Sequence, residues 1–207
     1  IEGCSGGGGR FDAGMLYYTP QIWCSDNTDA LDRVEIQYGT SFIYPVSSVG
    51  SHVSASPNHQ TGRCTSLHTR GTVAMAGTFG YELDLNQLTD AEKNEIRSQI
   101  KDYKKYAALI QRGLYYRLTC PQTDDVGAWA FVSEDRSEAL VQALTLKQHA
   151  NMPVNYIRIR GLEEGCMYRE ASTGRVYSSA ALSDAGFPIP IAMGEHQAYQ
   201  WHFVKEK

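Results

Sequence analysis

Hydrophobic and polar positions follow two different patterns along this chain, and the change comes near residue 114. In the first half, short apolar runs typical of buried strands alternate with segments of helical periodicity. The predicted strands are a short buried run at residues 21–24, which ends an aromatic and apolar segment that begins at Met15, and residues 41–46 and 72–76. A helix is predicted around Leu31, Val34 and Tyr38, and the mostly polar residues 47–63 predict a long loop.

The clearest single element is a long helix that begins after Thr89 and ends near Gly113. Thr89 and Glu92 fit a capping box, in which a hydroxyl and a carboxylate satisfy the first free N–H groups of a helix. An apolar face follows at helical spacing, made of Ile96, Ile100, Tyr103, Ala107 and Ile110. Strands and helices in alternation predict a parallel sheet covered by helices, as in part of a barrel or of a doubly wound sheet.

The second half consists of short alternating runs separated by turn residues. The candidate strands are residues 114–118, 128–132, 139–146, 156–160, 167–170, 175–177 and 198–204. Ser172, Thr173 and Gly174 predict a hairpin turn with the glycine in the left-handed conformation. We therefore predict an α/β domain over residues 1–113 and an all-β, antiparallel domain over residues 114–207.

Composition and charge narrow the class of protein. The 207 residues are 42% hydrophobic and 20% charged, which permits a packed core, and the formal net charge of −4 argues against nucleic-acid or membrane-surface binding. No apolar run approaches the length of a membrane span. The five cysteines form no CxxC pair, so we expect free thiols in a reducing cytoplasm, with no structural zinc and no cofactor.

The glycine run Gly6–Gly9 is the first candidate for chemistry. Glycines let a backbone approach a ligand closely, but no Lys-Ser/Thr pair follows, so the run is a weak phosphate-binding motif. A flexible linker is an alternative, although the flanking Cys4 and Arg10 are not typical of linkers.

The second candidate is the segment from Trp23 to Asp29. A tryptophan beside a carboxylate at a strand end is a common way to build a sugar subsite, which makes Asp26 a candidate functional residue. Equally, Asn27 or Asp29 could simply cap the helix that follows. His52 and His59 could hold a metal or exchange protons, but we favour hydrogen-bonded loop residues for both.

Four motifs together closely resemble the bacterial α-galactosidases of glycoside hydrolase family 36. They are CSGGGGRFD at residues 4–12, PQIWCSDNTD at 20–29, VSASPNHQ at 53–60 and AGTFGYELD at 76–84. The resemblance implies the second half of a (β/α)8 TIM barrel, with strands five to eight at residues 1–4, 21–25, 41–46 and 73–76. It also implies a C-terminal antiparallel β-sandwich domain, and it makes the chain a C-terminal fragment.

The family's mechanism is retaining and uses two carboxylates. By motif match, the resemblance makes Asp26 the acid/base, while the nucleophile belongs to a Lys-Trp-Asp type motif that this sequence lacks and that we expect upstream of Ile1. Cys4 matches a position that lines the galactose subsite. Gly6 and Gly7 would offer backbone amides to sugar hydroxyls, Trp23 would support the subsite, and Asp29 would cap a helix or support Asp26.

The resemblance thus implies a cytoplasmic bacterial enzyme that releases terminal galactose from melibiose- or raffinose-type α-galactosides. The full-length enzyme is expected to be a homo-oligomer, such as a tetramer, and the isolated fragment to be inactive. Two alternatives stay open: a noncatalytic carbohydrate-binding or assembly domain, and a related α-N-acetylgalactosaminidase or galactosyl transferase.

Overall fold

The computed structural model describes residues 1–4, 6–9 and 11–207, so that Ser5 and Arg10 of the glycine motif lie outside the described residues. The chain divides into two compact units, Ile1–Gln111 and Arg112–Lys207. Among the described helices, none combines the length and apolar character needed to cross a membrane.

The first unit alternates strands and helices, as its hydrophobic pattern predicts. In chain order the elements are β1 (Glu2–Gly3), α1 (Met15–Tyr18), β2 (Gln21–Ile22), α2 (Ala30–Thr40), β3 (Gly50–Ser54), α3 (Leu67–Ala74), β4 (Thr78–Glu82) and α4 (Asp90–Arg112), with 3-10 turns at Val46–Ser48 and Leu85–Gln87. Strands β1 and β2 are parallel, as are β3 and β4, and a parallel bridge from Ile22 to Val49 joins the two pairs. The four strands therefore lie side by side in chain order.

The predicted strand at residues 41–46 is wrong. This segment turns back onto the end of α2, where the N–H groups of Ile43 and Tyr44 donate to the carbonyl of Thr40. Pro45 has no N–H to give to a sheet, and the true strand β3 begins at Gly50, inside the predicted loop. Strand β3 is polar in sequence but buried in the structure, because its serine hydroxyls bond to other elements: Ser51 donates to Gln37 and Ser54 to the Thr28 carbonyl.

The predicted strand at residues 73–76 is also wrong. Residues 67–74 form helix α3, whose N-cap Ser66 accepts a hydrogen bond from the N–H of Thr69. Every residue of α3 except His68 is buried, so the helix shows no polar face from which a helical period could be recognised. Strand β4 follows only after Gly77.

Helices α2 and α4 confirm the corresponding predictions. At the start of α4 the capping box forms in full, since the N–H and hydroxyl of Thr89 donate to Glu92 and the N–H of Glu92 donates back. The buried face of α4 is Ile96, Gln99, Tyr106, Leu109 and Ile110, rotated from the predicted one, and Ile100 is exposed. Between residues 15 and 23, by contrast, only β2 is a strand, because Met15–Tyr18 form α1.

The second unit is antiparallel, as predicted. Its strands are β5 (Leu114–Arg117), β6 (Val126–Val132), β7 (Glu138–Thr145), β8 (Tyr156–Ile157), β9 (Met167–Glu170), β10 (Val176–Ser178), β11 (Phe187–Pro188) and β12 (Ala198–Lys205), with a π-helical turn at Ala181–Ala185. Six strands form one sheet in the order β10-β9-β12-β7-β6-β5, and β8 pairs with β11 in a separate ribbon.

The core of this unit lies between the sheet and the ribbon. Ile159, Tyr168 and Phe203 are completely buried within it. Ile157 of the ribbon packs against Val126 of β6, in one apolar cluster. The second layer is thus a two-stranded ribbon, smaller than the sandwich that the resemblance implies. The predicted hairpin turn is present, with β9 and β10 antiparallel and Gly174 at φ +71°.

Candidate functional site

The carboxyl ends of β1 to β4 meet at one edge of the first unit, where α/β proteins place their ligands. A cavity of about 380 Å³ opens there, lined by Glu2, Cys4, Trp23, His52, Tyr81 and Glu82. Two of the residues predicted for the site, Cys4 and Trp23, therefore come together. Of the other four, His52 was considered in the sequence but favoured as a loop residue, and Glu2, Tyr81 and Glu82 were not predicted as site residues.

The glycine loop lies directly on the segment that carries Asp26. A Cβ atom at Gly7 would lie 2.7 Å from the backbone nitrogen of Asp26 and 2.9 Å from its Cγ, and one at Gly8 would lie 2.8 Å from the Cys24 carbonyl oxygen. Both glycines have positive φ, +65° and +81°, and the N–H of Gly8 donates to the Cys4 carbonyl at 2.8 Å. Gly7 and Gly8 are thus packed against the segment that carries Asp26, as a flexible linker would not be. Gly6 also has a positive φ, +72°, but no atom lies within 4 Å of the position that its Cβ would occupy.

Asp26 is exposed, in the short connection between β2 and α2. Among the residues that the structure describes, none forms a hydrogen bond with its carboxylate. Contact with Gly7 holds its backbone in place.

Asp29, three residues later, has a structural role as the N-cap of α2. Its Oδ1 accepts hydrogen bonds from the N–H groups of Leu31 and Asp32 at 2.9 and 3.2 Å, and its Oδ2 accepts one from the Thr61 hydroxyl at 2.7 Å. Burial works to raise the pKa of this carboxyl, but these hydrogen bonds and the ion pair with Arg63 outweigh it and hold the pKa below its usual range. Asn27 supports the cap by accepting from the Asp29 N–H at 3.0 Å.

His52 packs on Trp23, with ring centroids 4.5 Å apart. The histidine belongs to β3, so its assignment to a loop is wrong; His59 does lie in an exposed turn. Gly80 on the neighbouring strand leaves room for the imidazole, since a Cβ there would lie 2.5 Å from Cδ2. Burial first, and then the charge of Arg33, lower the pKa of His52, so the ring is neutral near pH 7.

Two carboxyl groups also face the cavity. Glu2 extends over Gly50, where any side chain would collide with its carboxyl oxygen. Partial burial, and then the negative charge of Glu82, raise the pKa of Glu2 above that of an ordinary glutamate. The structure shows no group of three metal-ligating side chains in the described part of the chain. The cavity lining itself offers two carboxyl groups, a thiol, an imidazole and the aromatic rings of Trp23 and Tyr81.

Comparison with known proteins gives the family of both units of the chain. Residues 1–113 match the Melibiase family model, and residues 126–203 match the model of the glycosyl hydrolase family 36 C-terminal domain. The chain is 60% identical over all its 207 residues to the bifunctional alpha-galactosidase/sucrose kinase AgaSK of Mediterraneibacter gnavus, covering 22% of that protein. It is 51% identical over 97% of its length to alpha-galactosidase AgaA of Geobacillus stearothermophilus, covering 27% of that protein.

Solved structures give the same picture. The galactosidase domain of AgaSK matches with a TM-score of 0.97 at 60% identity over 99% of this chain and 28% of that one. A variant of AgaA in complex with raffinose matches with a TM-score of 0.96 at 49% identity, again over 99% of this chain and 28% of that one. The chain thus spans roughly a quarter of the length of these relatives.

Proposed function

This chain belongs to glycosyl hydrolase family 36, and from that premise we propose that it is the C-terminal part of a retaining α-galactosidase and supplies the acid/base Asp26. The observation that carries the proposal is the position of Asp26, exposed after β2 and against Gly7, on the segment whose Trp23 lines the cavity at the strand ends.

The four parallel strands of the first unit are proposed to be strands five to eight of a (β/α)8 barrel. Their chain order, the helices between them and the side chains gathered at their carboxyl ends are what such a half-barrel requires. The preceding strands, with the nucleophile, would come from a further part of the enzyme. In this arrangement the second unit is the C-terminal β-domain, the whole enzyme is a homo-oligomer, and its place is the bacterial cytoplasm.

In the proposed mechanism, the nucleophile attacks the anomeric carbon of the galactoside while Asp26 gives its proton to the departing oxygen. The resulting aspartate then takes a proton from water, which attacks the galactosyl-enzyme and releases galactose with its configuration retained. In a retaining enzyme the second carboxylate attacks the anomeric carbon directly, so no room is needed for a water molecule between this carboxylate and the sugar. We therefore expect the two carboxyls to lie about 5.5 Å apart.

Galactose recognition is proposed to use the residues around Asp26. The Cys4 thiol, small and weakly polar, would border the sugar, the backbone amides of Gly6 and Gly7 would bind its hydroxyls, and Trp23 would support the subsite. The AgaA variant that binds raffinose supports a substrate of the α-galactoside class.

The test is Asp26→Asn in the full-length enzyme, assayed on melibiose and on p-nitrophenyl α-galactoside. Loss of the acid should lower kcat on melibiose by roughly 10²- to 10⁴-fold, whereas the first galactosyl transfer from the activated aryl substrate should fall far less, because its leaving group needs no proton. Asp184→Asn, an exposed carboxylate of the second unit, is the control. Equal losses on both substrates would contradict the acid/base assignment.

A further inference from the structure

Arg33 is a buried cation immediately behind the site. It lies on α2, only 4% of its surface is exposed, and a guanidinium keeps its charge at any ordinary pH. Within the described parts of the chain, no carboxylate lies at ion-pair distance from it. A buried charge of this kind is tolerated only when its N–H groups donate to strong acceptors. The acceptors of Arg33 therefore identify the elements that it holds together.

One backbone acceptor of Arg33 lies on strand β3 and the other in the connection between β2 and α2. Its Nη2 donates to the carbonyl of Gly50 at the start of β3, at 2.7 Å, and its Nη1 donates to the carbonyl of Ser25 at 3.4 Å. The guanidinium also lies over the indole of Trp23, 5.8 Å from the ring centroid. One side chain thus holds the residue just before Asp26, the aromatic ring beside it and the neighbouring strand.

The planar guanidinium group of Arg33, with its forked set of N–H donors (the fork), is itself fixed by Gln37, one turn further along α2. The Nε of Arg33 donates to Gln37 Oε1 at 3.3 Å, and the Gln37 amide donates to the carbonyls of Val73 and Ala76 at 3.2 and 3.1 Å. Ser51 of β3 donates to the same Oε1 at 3.1 Å. The guanidinium plane is therefore locked to α3 and β3 at once.

We propose that Arg33 is a positioning residue for the acid/base, and that its planar fork sets the direction in which the Trp23–Asp26 segment leaves β2. The inference rests on the proposed function, because Asp26 matters only if it transfers a proton. A lysine cannot replace this arginine, since an ammonium offers no planar set of N–H groups that could reach Gly50, Ser25 and Gln37 together.

The experiment compares Arg33→Lys with Arg70→Lys in the full-length enzyme. Arg70 is a matched control because it is also buried, at 6% exposure, and also donates to a β3 carbonyl, that of Ser54, without contact to Trp23 or Ser25. Arg33→Lys should lower kcat on melibiose by roughly 30-fold and galactosyl transfer from p-nitrophenyl α-galactoside by less than about 5-fold. Arg70→Lys should lower both rates by the same factor.

A double-mutant cycle separates positioning from general structural damage. In an Asp26→Asn background, Arg33→Lys should lower kcat on melibiose by a further factor of less than about 3, because no acid is left to position. Should Arg33→Lys fail to fold, Gln37→Met provides a second variant, because it loosens the fork while keeping the charge of Arg33. Gln37→Met should also lower kcat on melibiose more than galactosyl transfer from p-nitrophenyl α-galactoside, but by smaller factors than Arg33→Lys.

Two results would overturn the inference: equal losses on both substrates, or an undiminished effect of the arginine variant in the Asp26→Asn background. If Asp26→Asn alone failed to discriminate between the substrates, the proposed function would fail instead, independently of the arginine.

Discussion

At the scale of single residues, the candidate site depends on glycines, because a residue without a side chain leaves room for a larger one on a neighbouring element. Gly7 makes room for the Asp26 carboxyl, Gly50 for that of Glu2 and Gly80 for the imidazole of His52. Each glycine faces a larger residue on a neighbouring element, so the pairs interlock around the cavity. The glycine run marked this loop in the sequence, but isolated Gly50 and Gly80 could not be matched with partners from distant positions.

Gly7→Ala tests this interlock. The added methyl group would meet both the nitrogen and Cγ of Asp26, and the positive φ adds about 1 kcal/mol of backbone strain. We expect the full-length enzyme to lose at least about 100-fold in kcat on melibiose, since a shift of an ångström suffices for such a loss.

The control for Gly7→Ala is Gly62→Ala. Gly62 has nearly the same φ, +68°, but no atom within 4 Å of its Cβ position. Gly62→Ala should therefore add only the backbone strain, and its kcat should stay within a few fold of the wild-type value. The difference between the two variants then measures the effect of the collision with Asp26. A Gly7→Ala enzyme with normal kcat would show that Asp26 does not need this contact.

At the scale of elements, local signals predicted what local interactions decide. The capping box gave the start of α4, and Asp29 was already a candidate cap for α2. Strand β3 and helix α3 were missed, because each is buried on all sides and polar residues such as Ser51 and Arg70 find their partners on other elements. Such partners are invisible to a pattern that considers one segment at a time.

The β9–β10 hairpin offers a test at this scale. The carboxylate of Glu170, 2% exposed, accepts hydrogen bonds from the N–H and hydroxyl groups of Ser172 and Thr173, and so closes the turn. Burial favours a higher pKa for Glu170, but these donors outweigh it and lower the pKa. In Glu170→Gln, the side-chain NH2 group replaces an oxygen that accepts hydrogen bonds, and it faces donors that are left without an acceptor. The 207-residue chain should therefore lose about 1–3 kcal/mol in its free energy of unfolding at pH 7.

The pH dependence of this loss follows from the lowered pKa. The stabilisation by a carboxylate of this kind is fully present above its unfolded-state pKa of 4.5 and disappears as the pH falls through the lower folded-state value. Urea unfolding at pH 7 and pH 3 should therefore show a smaller difference between Glu170→Gln and wild type at pH 3. Glu164→Gln, an exposed glutamate in the same unit, is the control. A difference independent of pH would show that the carboxylate's charge is not what stabilises the turn.

At the scale of the whole molecule, the chain joins an α/β unit that carries the candidate site to an antiparallel β unit. The proposed retaining mechanism uses two carboxylates, and the Lys-Trp-Asp type motif expected to carry the second one does not occur in this sequence. Under the proposed function, the nucleophile would come from a further part of the enzyme.

We predict that the 207-residue chain alone does not hydrolyse p-nitrophenyl α-galactoside, even at high protein concentration. The comparison is with the full-length enzyme, and a chain with Asp26→Asn serves to expose contaminating activity. Turnover that Asp26→Asn abolishes would show that the nucleophile lies within these residues and would contradict the prediction.

The sequence by itself determined the division into two structural classes, the caps and the turn, because those depend on residues a few positions apart. Its motifs also determined the family and thereby the candidacy of Asp26. Only the tertiary structure decided which side chains share the cavity with Cys4 and Trp23, that His52 belongs to a strand, and that Arg33 holds Ser25 and Gly50. The physical reason is that these contacts join residues from different strands and helices, and their energy exists only once the elements are packed.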